Sequence, residues 1–282
     1  MPEISRTVLI TGASSGIGEA TALRLARGDW PVVATARRLE SVRHLADAGC
    51  HIDTLDVADV AALPDAVAGI ADRHGAVGVL VNNAGYSQSG AFETLPIEKF
   101  RTQIETNVVG LVRLTQLVLP AMRAQRWGKI VNVSSMGGKI TWPGAAAYHA
   151  SKHALEGLSD VLRFEVAGFG VDVIVVEPGL VRTRFAAAAV GSMDHVAETG
   201  PYAELDAAVA RITTDAYGRG LANLIVGSPD DVARVIEKAL NAKRPRPRYR
   251  VAGAGLLIAV RRLLGDRLSD ALLRRIYPQP GR

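Results

Sequence analysis

Short apolar runs alternate with longer amphipathic stretches along the first 180 residues, and this alternation restricts the folds that the chain can adopt. The short runs are rich in β-branched residues and almost continuously apolar, which is typical of strands buried on both faces of a parallel sheet. The stretches between them have helical periodicity and would cover both faces, as in a doubly wound α/β domain of the Rossmann type. Strands are predicted at residues 7–11, 31–36, 51–55, 77–82, 129–133 and 171–176, and helices at residues 16–27, 41–48, 59–73, 100–126 and 147–169.

The last hundred residues add a further strand and several helices. Ser228 is a good N-cap for a helix, because a proline and two acidic residues follow it and all three suit a first helical turn. We predict one domain of about seven parallel strands over residues 1–252, followed by a helical extension over residues 253–282. The elements predicted here are a helix at 228–243, a strand at 248–251 and helices at 255–264 and 266–276.

The composition is that of an ordinary globular protein. Hydrophobic residues make up 48% and charged residues 22% of the 282, which excludes a disordered chain, a collagen-like repeat and a disulfide scaffold. The single cysteine, Cys50, permits neither an internal disulfide nor a cysteine-rich zinc site, so we expect a buried packing role for it and no metal. The amino terminus does not resemble a signal peptide, and residues 251–260, the longest apolar run, are too short to cross a bilayer. We expect a cytoplasmic location.

The net charge of +5 is concentrated in the tail. Residues 243–282 hold eleven basic and two acidic side chains, whereas residues 1–242 hold 22 basic and 26 acidic ones. Leucine, isoleucine and valine alternate with arginine over residues 255–276. The favoured interpretation is a pair of amphipathic helices that cap the domain or a dimer. A peripheral contact with an anionic membrane is the second interpretation, and nucleic-acid binding is not expected, because no recognised binding module accompanies the charge.

A glycine-rich turn lies at the first strand-to-helix connection and reads TGASSGIG over Thr11–Gly18. Glycines allow the backbone to approach a pyrophosphate, and the helix that follows offers unpaired N–H groups and a positive dipole end. An ordinary tight turn remains the alternative, since three spaced glycines are weak evidence alone. The residues predicted to bind a dinucleotide here are Gly12, Ser14, Ser15, Gly16, Ile17 and Gly18.

Arg37 and Arg38 follow the second predicted strand, about twenty residues beyond this turn. An acidic residue at this point would bind the ribose hydroxyls of NAD, whereas arginine accommodates the 2′-phosphate of NADP. A guanidinium group binds phosphate in a bidentate manner. The alternative is a pair of surface arginines at the start of a helix. Together with the glycine turn, the pair favours NADP(H).

Tyr148 and Lys152 lie four residues apart on a predicted helix and therefore on one face. A tyrosine hydroxyl ordinarily titrates near pH 10, but a neighbouring ammonium favours the phenolate and makes proton exchange feasible near neutrality. Ser134 and Ser135 end the fifth strand, at the edge of the sheet where ligands bind, and a serine hydroxyl there can polarise a carbonyl oxygen. A plain pair of surface residues is the alternative for Tyr148 and Lys152.

Seven motifs in a fixed order resemble the short-chain dehydrogenases/reductases, in their form of about 250 residues with a carboxy-terminal extension like that of hydroxysteroid- and retinol-type members. They cover residues 6–183, about two thirds of the chain, and no catalytic position is missing. The motifs are TGASSGIG, Asp56, NNAG at residues 82–85, Asn107, IVNVSS at residues 130–135, YHASK at residues 148–152 and PGLVRT at residues 178–183.

The resemblance implies a catalytic role for four residues. Tyr148 would act as general acid in reduction and as base in oxidation, while Lys152 would lower its pKa and bind the nicotinamide ribose. Ser135, rather than Ser134, would orient the substrate carbonyl, and Asn107 would hold a water that continues a proton relay. Further cofactor contacts are implied at Asp56, Val57, Asn83, Ala84, Gly85, Pro178, Gly179, Val181 and Thr183.

The resemblance also implies a substrate lid over residues 184–227. Its apolar content, including Phe185, Met193, Tyr202 and Tyr217, suggests an apolar or amphipathic substrate. Trp142, between the serine and the tyrosine, is a candidate substrate contact with Ser135, Tyr148 and Phe185. His149 and His153 are expected to point away from Tyr148.

The sequence therefore predicts an NADP(H)-dependent oxidoreductase that interconverts a carbonyl compound and an alcohol. A homodimer or homotetramer is implied, formed through the helices predicted at residues 100–126 and 147–169. The alternative function is a non-catalytic NADP-binding redox sensor or scaffold on the same fold.

Overall fold

The computed structural model describes residues 4–193, 199–216 and 225–281. Seven strands form one parallel sheet in the order β3-β2-β1-β4-β5-β6-β7, which confirms the predicted fold class. The strands are β1 (Thr7–Ile10), β2 (Val32–Ala36), β3 (His51–Thr54), β4 (Val77–Asn82), β5 (Gly128–Val133), β6 (Val171–Pro178) and β7 (Arg248–Val251).

Helices cover both faces of the sheet. The described α-helices are α1 (Gly16–Arg27), α2 (Leu63–His74), α3 (Ile97–Ile104), α4 (Gly110–Ala124), α5 (Ala146–Val166), α6 (Phe185–Gly191), α7 (Ala203–Asp215), α8 (Pro229–Asn241) and α9 (Ala254–Ile276). The order of the strands reverses between β1 and β4, and ligands of such sheets bind in the crevice at that reversal.

The core has two layers because successive residues of a strand point to opposite faces. In β1, Val8 and Ile10 pack in one cluster with Leu25 of α1 and Ile236 of α8. Leu9, between them, packs in the other cluster, with residues of α2 and α4. Cys50 is buried in the first cluster, as predicted.

Three of the predicted helices have different limits. The segment predicted at residues 41–48 is a 3₁₀ helix, Leu39–Leu45. The helix predicted from residue 59 begins at Leu63, because the Asp59 carboxylate accepts the N–H of Ala62 in a turn and Pro64 then suits the first helical turn. The helix predicted at residues 100–126 is interrupted by a π-helical turn at Glu105–Val109, which separates α3 from α4.

The carboxy-terminal elements agree with the prediction. Ser228 caps α8 through a capping box with Asp231, each side chain bonding to the other residue's backbone. Gly265, with a φ of 64° and a ψ of −176°, breaks α9 between the two helices predicted there. None of the described helices is both long enough and apolar enough to cross a membrane.

Candidate active site

The glycine turn between β1 and α1 forms a cradle with no room for a side chain at two positions. Gly12 has a φ of +66°, and a Cβ atom there would lie 2.9 Å from Cα of Ala84. A Cβ atom on Gly18 would lie 2.4 Å from the carbonyl oxygen of Gly12. Because α1 begins at Gly16, its unpaired N–H groups and positive dipole end open onto this cradle. The turn, which also contains Ser14, Ser15 and Ile17, can therefore take a phosphate group close to the backbone.

Asn83 and Thr11 hold this cradle against β4. The side-chain amide of Asn83 donates to the carbonyl oxygens of Thr11, at 2.9 Å, and Gly12, at 3.1 Å. The hydroxyl of Thr11 accepts the backbone N–H groups of Asn83 and Ala84, at 3.1 Å and 3.0 Å. Since β1 and β4 flank the crevice at the reversal of strand order, these bonds shape one wall of the site.

Arg37 and Arg38 leave the sheet at the same edge, just beyond β2, and both side chains are exposed. Burial raises the pKa of the Tyr86 hydroxyl, and the charge of Arg37 nearby opposes that shift. Asp56 is also exposed and accepts the backbone N–H of Ala58 at 3.0 Å. Val57, beside it, is buried against the start of α4. These residues therefore form a rim with two unburied cations beside the glycine turn.

Ser135 begins a short 3₁₀ turn, Met136–Gly138, at the carboxyl end of β5. Its Oγ accepts the backbone N–H of Gly137 at 3.0 Å, so its own hydroxyl proton remains available to donate. A Cβ atom on Gly137 would lie 3.1 Å from Cε1 of Tyr148, which shows how closely this turn packs on the tyrosine ring. The Oγ of Ser134 is buried and has no hydrogen-bond partner within the described ranges.

Tyr148 and Lys152 lie one turn apart on α5, and each is 6% exposed. The Nζ atom of Lys152 lies 5.9 Å from the centroid of the tyrosine ring and donates to the carbonyl oxygen of Val133 at 2.8 Å. Burial lowers the pKa of the Lys152 ammonium to about 8, and the carboxylate of Glu156 partly opposes this. A titratable lysine therefore lies beside a buried tyrosine, at the edge of the sheet where Ser135 begins its turn.

Asn107 lies in the π-helical turn and connects the cofactor side of the crevice to α5. Its Nδ2 donates to the carbonyl oxygen of Tyr86, at 3.1 Å, and to Oγ of Ser151, at 3.0 Å. Its Oδ1 accepts the N–H of Tyr86 at 3.2 Å, and a Cβ atom on Gly85 would lie 3.0 Å from the same oxygen. Both side-chain protons are thus used within the protein. Such π-turns often occur at functional sites.

The segment after β6 passes between the glycine turn and the extension. Gly179 packs so closely on the residues before α9 that a Cβ atom would lie 2.0 Å from the carbonyl oxygen of Ala252. Val181 is buried and pairs with Gly227. Thr183 lies against Gly16, where a Cβ atom would be 3.1 Å from its Cγ2. Pro178, at the end of β6, begins this segment. The structure therefore brings the predicted segment to the start of α1.

Two clefts in the described structure lie at opposite ends of the strands, and one of them adjoins the glycine turn. One of about 590 Å³ is lined by Ser15, Gly16, Thr183 and their neighbours at the start of α1. A larger one, of about 660 Å³, is lined by Lys129, Val171 and other residues at the opposite, amino-terminal ends of the strands. The smaller cleft is the relevant one, because it adjoins the glycine cradle.

Phe185 and Trp142 supply aromatic surface near Tyr148. The ring centroids of Tyr148 and Phe185 are 5.4 Å apart. Trp142 packs with Met136 and with Ala254 and Ile258 of α9. The extension therefore supports the wall on which Trp142 lies.

His149 does not point away from Tyr148, and that expectation is wrong. Their ring centroids are 6.0 Å apart, and the imidazole is buried. It contacts the backbone of Gly137 at 2.9 Å and of Trp142 at 3.1 Å. The turn after β5 folds back over the first turn of α5 and covers this side of the helix. Helical periodicity alone could not reveal this cover.

The described part of the predicted lid includes α6 and α7. Met193 follows α6, and Ser192 beside it bonds to the loop after β4 through the N–H of Ser89, at 2.9 Å. In α7, Asp206 accepts the N–H of Ala91 at 3.0 Å, and Tyr202 bonds to Glu93 just before that helix. Tyr217 lies outside the described residues.

Four further residues contact the site although no cofactor or catalytic role was predicted for them: Thr11, Tyr86, His149 and Ser151. Thr11, His149 and Ser151 lie inside the glycine-turn and YHASK motifs, and Tyr86 directly follows NNAG. Their positions in or beside these motifs could have indicated that they lie near the site. Their individual contacts could not be predicted, because they join segments that are distant in sequence.

Comparison with known proteins agrees with this arrangement. The short chain dehydrogenase family matches residues 6–193. An NADPH-dependent 3-dehydrocapnine reductase of Ornithobacterium rhinotracheale is 34% identical, over 95% of each chain. A short-chain dehydrogenase from Streptomyces avermitilis superposes with a TM-score of 0.77 at 36% identity, covering 94% of this chain and 96% of that one. An actinorhodin polyketide ketoreductase with NADPH superposes with a TM-score of 0.74 at 34% identity, covering 89% and 97%. The chain therefore belongs to the short-chain dehydrogenase family of oxidoreductases.

Proposed function

We propose that the protein is an NADP(H)-dependent oxidoreductase that interconverts a carbonyl compound and a primary or secondary alcohol. One observation carries this proposal: the ring of Tyr148 lies among Lys152, the turn that begins at Ser135 and the ring of Phe185. A proton donor, a cation that can tune it and a hydroxyl that can orient a carbonyl therefore meet at one edge of the sheet.

The cofactor proposal rests on the cradle and on the cations beside it. A Cβ atom would obstruct Gly12 and Gly18, which is expected where a pyrophosphate approaches the backbone. Arg37 and Arg38 are exposed and would hold a 2′-phosphate. When bound, the nicotinamide would donate or accept a hydride. Further contacts are proposed at Ser14, Ser15, Gly16, Ile17, Asp56, Val57, Asn83, Ala84, Gly85, Tyr148, Lys152, Pro178, Gly179, Val181 and Thr183.

The residues of this chain would handle the proton and the orientation of the substrate. The Ser135 hydroxyl donates to the carbonyl oxygen, because its Oγ already accepts the N–H of Gly137. The Tyr148 hydroxyl exchanges a proton with the same oxygen. The ammonium of Lys152 favours the phenolate that forms, and Asn107 would hold a water in the relay behind it.

The proposed substrate is an apolar or amphipathic small molecule. Phe185 and Trp142 would contact it beside Ser135 and Tyr148, and residues 184–227 would cover it. Two of the relatives described above are reductases by name, one a 3-dehydrocapnine reductase and one a ketoreductase. Their names support the class of reaction.

Replacing Tyr148 with phenylalanine tests this function. Tyr148→Phe removes only the hydroxyl, so we expect NADPH binding within about twofold of wild type and a loss of turnover of at least 10²-fold, as for removal of a general acid. Tyr249→Phe, in β7, is the matched control and should retain full activity. The measurement is NADPH oxidation across a panel of ketones and aldehydes, beside an NADPH titration.

Equal turnover by Tyr148→Phe and wild type would contradict the mechanism. If wild-type protein bound NADPH but turned over none of the panel, the non-catalytic sensor or scaffold would be favoured instead.

Assembly and location are also proposals. Apolar residues of α5 are exposed, among them Phe164 at 89%, which supports a homodimer or homotetramer formed through α4 and α5. Leu256 and Leu263 of α9 are exposed beside the arginines of the extension, which supports a peripheral contact with anionic membrane. Light scattering gives the mass of the assembly, and sedimentation with anionic and neutral vesicles tests the contact. No role with nucleic acid and no metal is proposed, and the cytoplasm is the proposed location.

A further inference from the structure

One imidazole ring joins the turn after β5 to the helix that carries the catalytic tyrosine. His149 is the fourth residue of α5, directly after Tyr148. Its Nδ1 lies 2.9 Å from the carbonyl oxygen of Gly137, and its Nε2 lies 3.1 Å from the backbone nitrogen of Trp142. Both contacts reach across to the segment between Ser135 and α5.

The two partners determine the protonation of the ring. A carbonyl oxygen can only accept a hydrogen bond, so Nδ1 carries the proton. A backbone amide can only donate, so Nε2 accepts from Trp142. Only the neutral imidazole with its proton on Nδ1 makes both bonds. Burial lowers the pKa of His149, which favours this neutral form.

Both bonded residues lie beside groups that are proposed to contact the substrate. Gly137 packs against the Tyr148 ring and donates its N–H to Oγ of Ser135. The Trp142 ring lies edge-on to the imidazole, with centroids 4.1 Å apart. The same imidazole therefore contacts the turn that holds the serine and the aromatic wall beside it.

A second contact also attaches the turn after β5 to α5, so the imidazole ring is not the sole link between them among the described residues. Nζ of Lys139, in the same segment, forms an ion pair with the carboxylate of Glu156 at 2.8 Å. Ile258 of α9 also packs against Met136. A variant of His149 should therefore fold, with the turn still attached to α5 two helical turns further along.

We propose that His149 is a positioning residue, which sets the place of Ser135 and Trp142 relative to Tyr148 and so determines which carbonyl compounds are accepted. The inference rests on the proposed function. Small displacements of reacting groups are costly, and a shift of about 1 Å can lower a rate on the order of 10²-fold.

The test compares three variants with two ketones of different size. His149→Phe keeps a ring but removes both hydrogen bonds, and His149→Gln restores a donor and an acceptor. His153→Phe is the matched control, because His153 is exposed on the same helix and its ring nitrogen lies 2.9 Å from the carbonyl oxygen of His149, not from the turn after β5. The substrates are 2-decanone and 2-butanone, and kcat and KM are measured separately for each.

The informative quantity is the ratio of kcat/KM for the two ketones, since it does not depend on the fraction of protein that is folded. We expect His149→Phe to change this ratio about tenfold or more, with NADPH affinity within about twofold of wild type. His149→Gln should recover most of the change, and His153→Phe should match wild type. An unchanged ratio in His149→Phe, even with lower thermal stability, would show a purely structural role and overturn the proposal.

A second readout needs no turnover. Protein labelled with ¹⁵N-tryptophan gives one backbone amide signal for each of its three tryptophans, and Trp142→Phe identifies that of Trp142. We expect this signal to move in His149→Phe and to stay in place in His153→Phe. A signal that does not move in His149→Phe overturns the proposal. If wild-type protein reduces no carbonyl compound while the signal moves, the proposed function fails but the positioning contact stands.

Discussion

The residues of the site differ in how far their side chains are exposed to solvent, and this exposure determines what each side chain can do. Tyr148 and Lys152 are buried, and burial lowers the pKa of the Lys152 ammonium to about 8, so its proton can be exchanged near neutral pH. Arg37 and Arg38 are exposed, and a guanidinium group at the rim suits the binding of a phosphate. The buried pair is therefore proposed for chemistry and the exposed pair for selection of the cofactor.

Arg37→Ala should weaken NADPH binding far more than NADH binding. A hydrogen-bonded ion pair contributes about 1.5–3 kcal/mol, so we expect the Kd for NADPH to rise roughly 10–100-fold and that for NADH to change little. The measurement is a fluorescence titration with each cofactor. Arg43→Ala, another exposed arginine close in sequence, is the control. An equal loss for both cofactors would disprove the phosphate contact.

The elements around the site were predicted well where they lie within one motif. The glycine turn, α1 and α5 agree with the sequence pattern because local turn chemistry and helical periodicity determine them. The π-turn at Glu105–Val109 was not predicted. It arises inside a continuous amphipathic stretch, and Asn107 within it is held by Tyr86 and by Ser151 of α5. No pattern within the stretch reveals those partners.

Two glycine-to-alanine substitutions distinguish a glycine that close backbone packing requires from a glycine that only lowers helix propensity. Gly18→Ala would bring Cβ within 2.4 Å of the Gly12 carbonyl oxygen, so the turn must open, and we expect both lower stability and at least tenfold weaker NADPH binding. Gly157→Ala, in α5, is the control, because nothing lies within 4 Å of the added atom. It should stabilise the protein by about 1 kcal/mol. Thermal unfolding and NADPH titration measure both, and undiminished binding by Gly18→Ala would contradict the cradle.

At the scale of the whole molecule, a group of ion pairs attaches β7 to α5. Arg248 bonds to Glu156 and Asp160 of α5 and to Glu177 of β6. The side chain of Glu177 is 0% exposed and that of Glu156 is 4% exposed. The bond from Arg248 is the main cause that lowers the pKa of Asp160 to about 2. The basic carboxy-terminal part and the acidic-leaning core thus meet through specific pairs.

Arg248→Met should destabilise the protein by about 3 kcal/mol, because it leaves two buried carboxylates without their shared partner. Lys139 and Arg250 still pair with these carboxylates, which limits the loss. The control is Arg43→Met. Arg43 pairs with Glu40, and both side chains are exposed, so this substitution should change the free energy of unfolding by no more than about 0.5 kcal/mol. Urea unfolding at pH 7 measures both. Similar midpoints for the two variants would show that the buried pairs contribute little.

The sequence by itself determined the parallel sheet, the glycine turn, the spacing of Tyr148 and Lys152 and the break in α9, because each depends on residues near one another in the chain. Only the tertiary structure decided that His149 joins Gly137 and Trp142, that Asn107 bonds to Tyr86 and Ser151, and that Arg248 pairs with buried carboxylates. These contacts join segments that are far apart in sequence or belong to different elements. Their geometry follows from how the helices pack on the sheet, and a one-dimensional pattern does not contain that information.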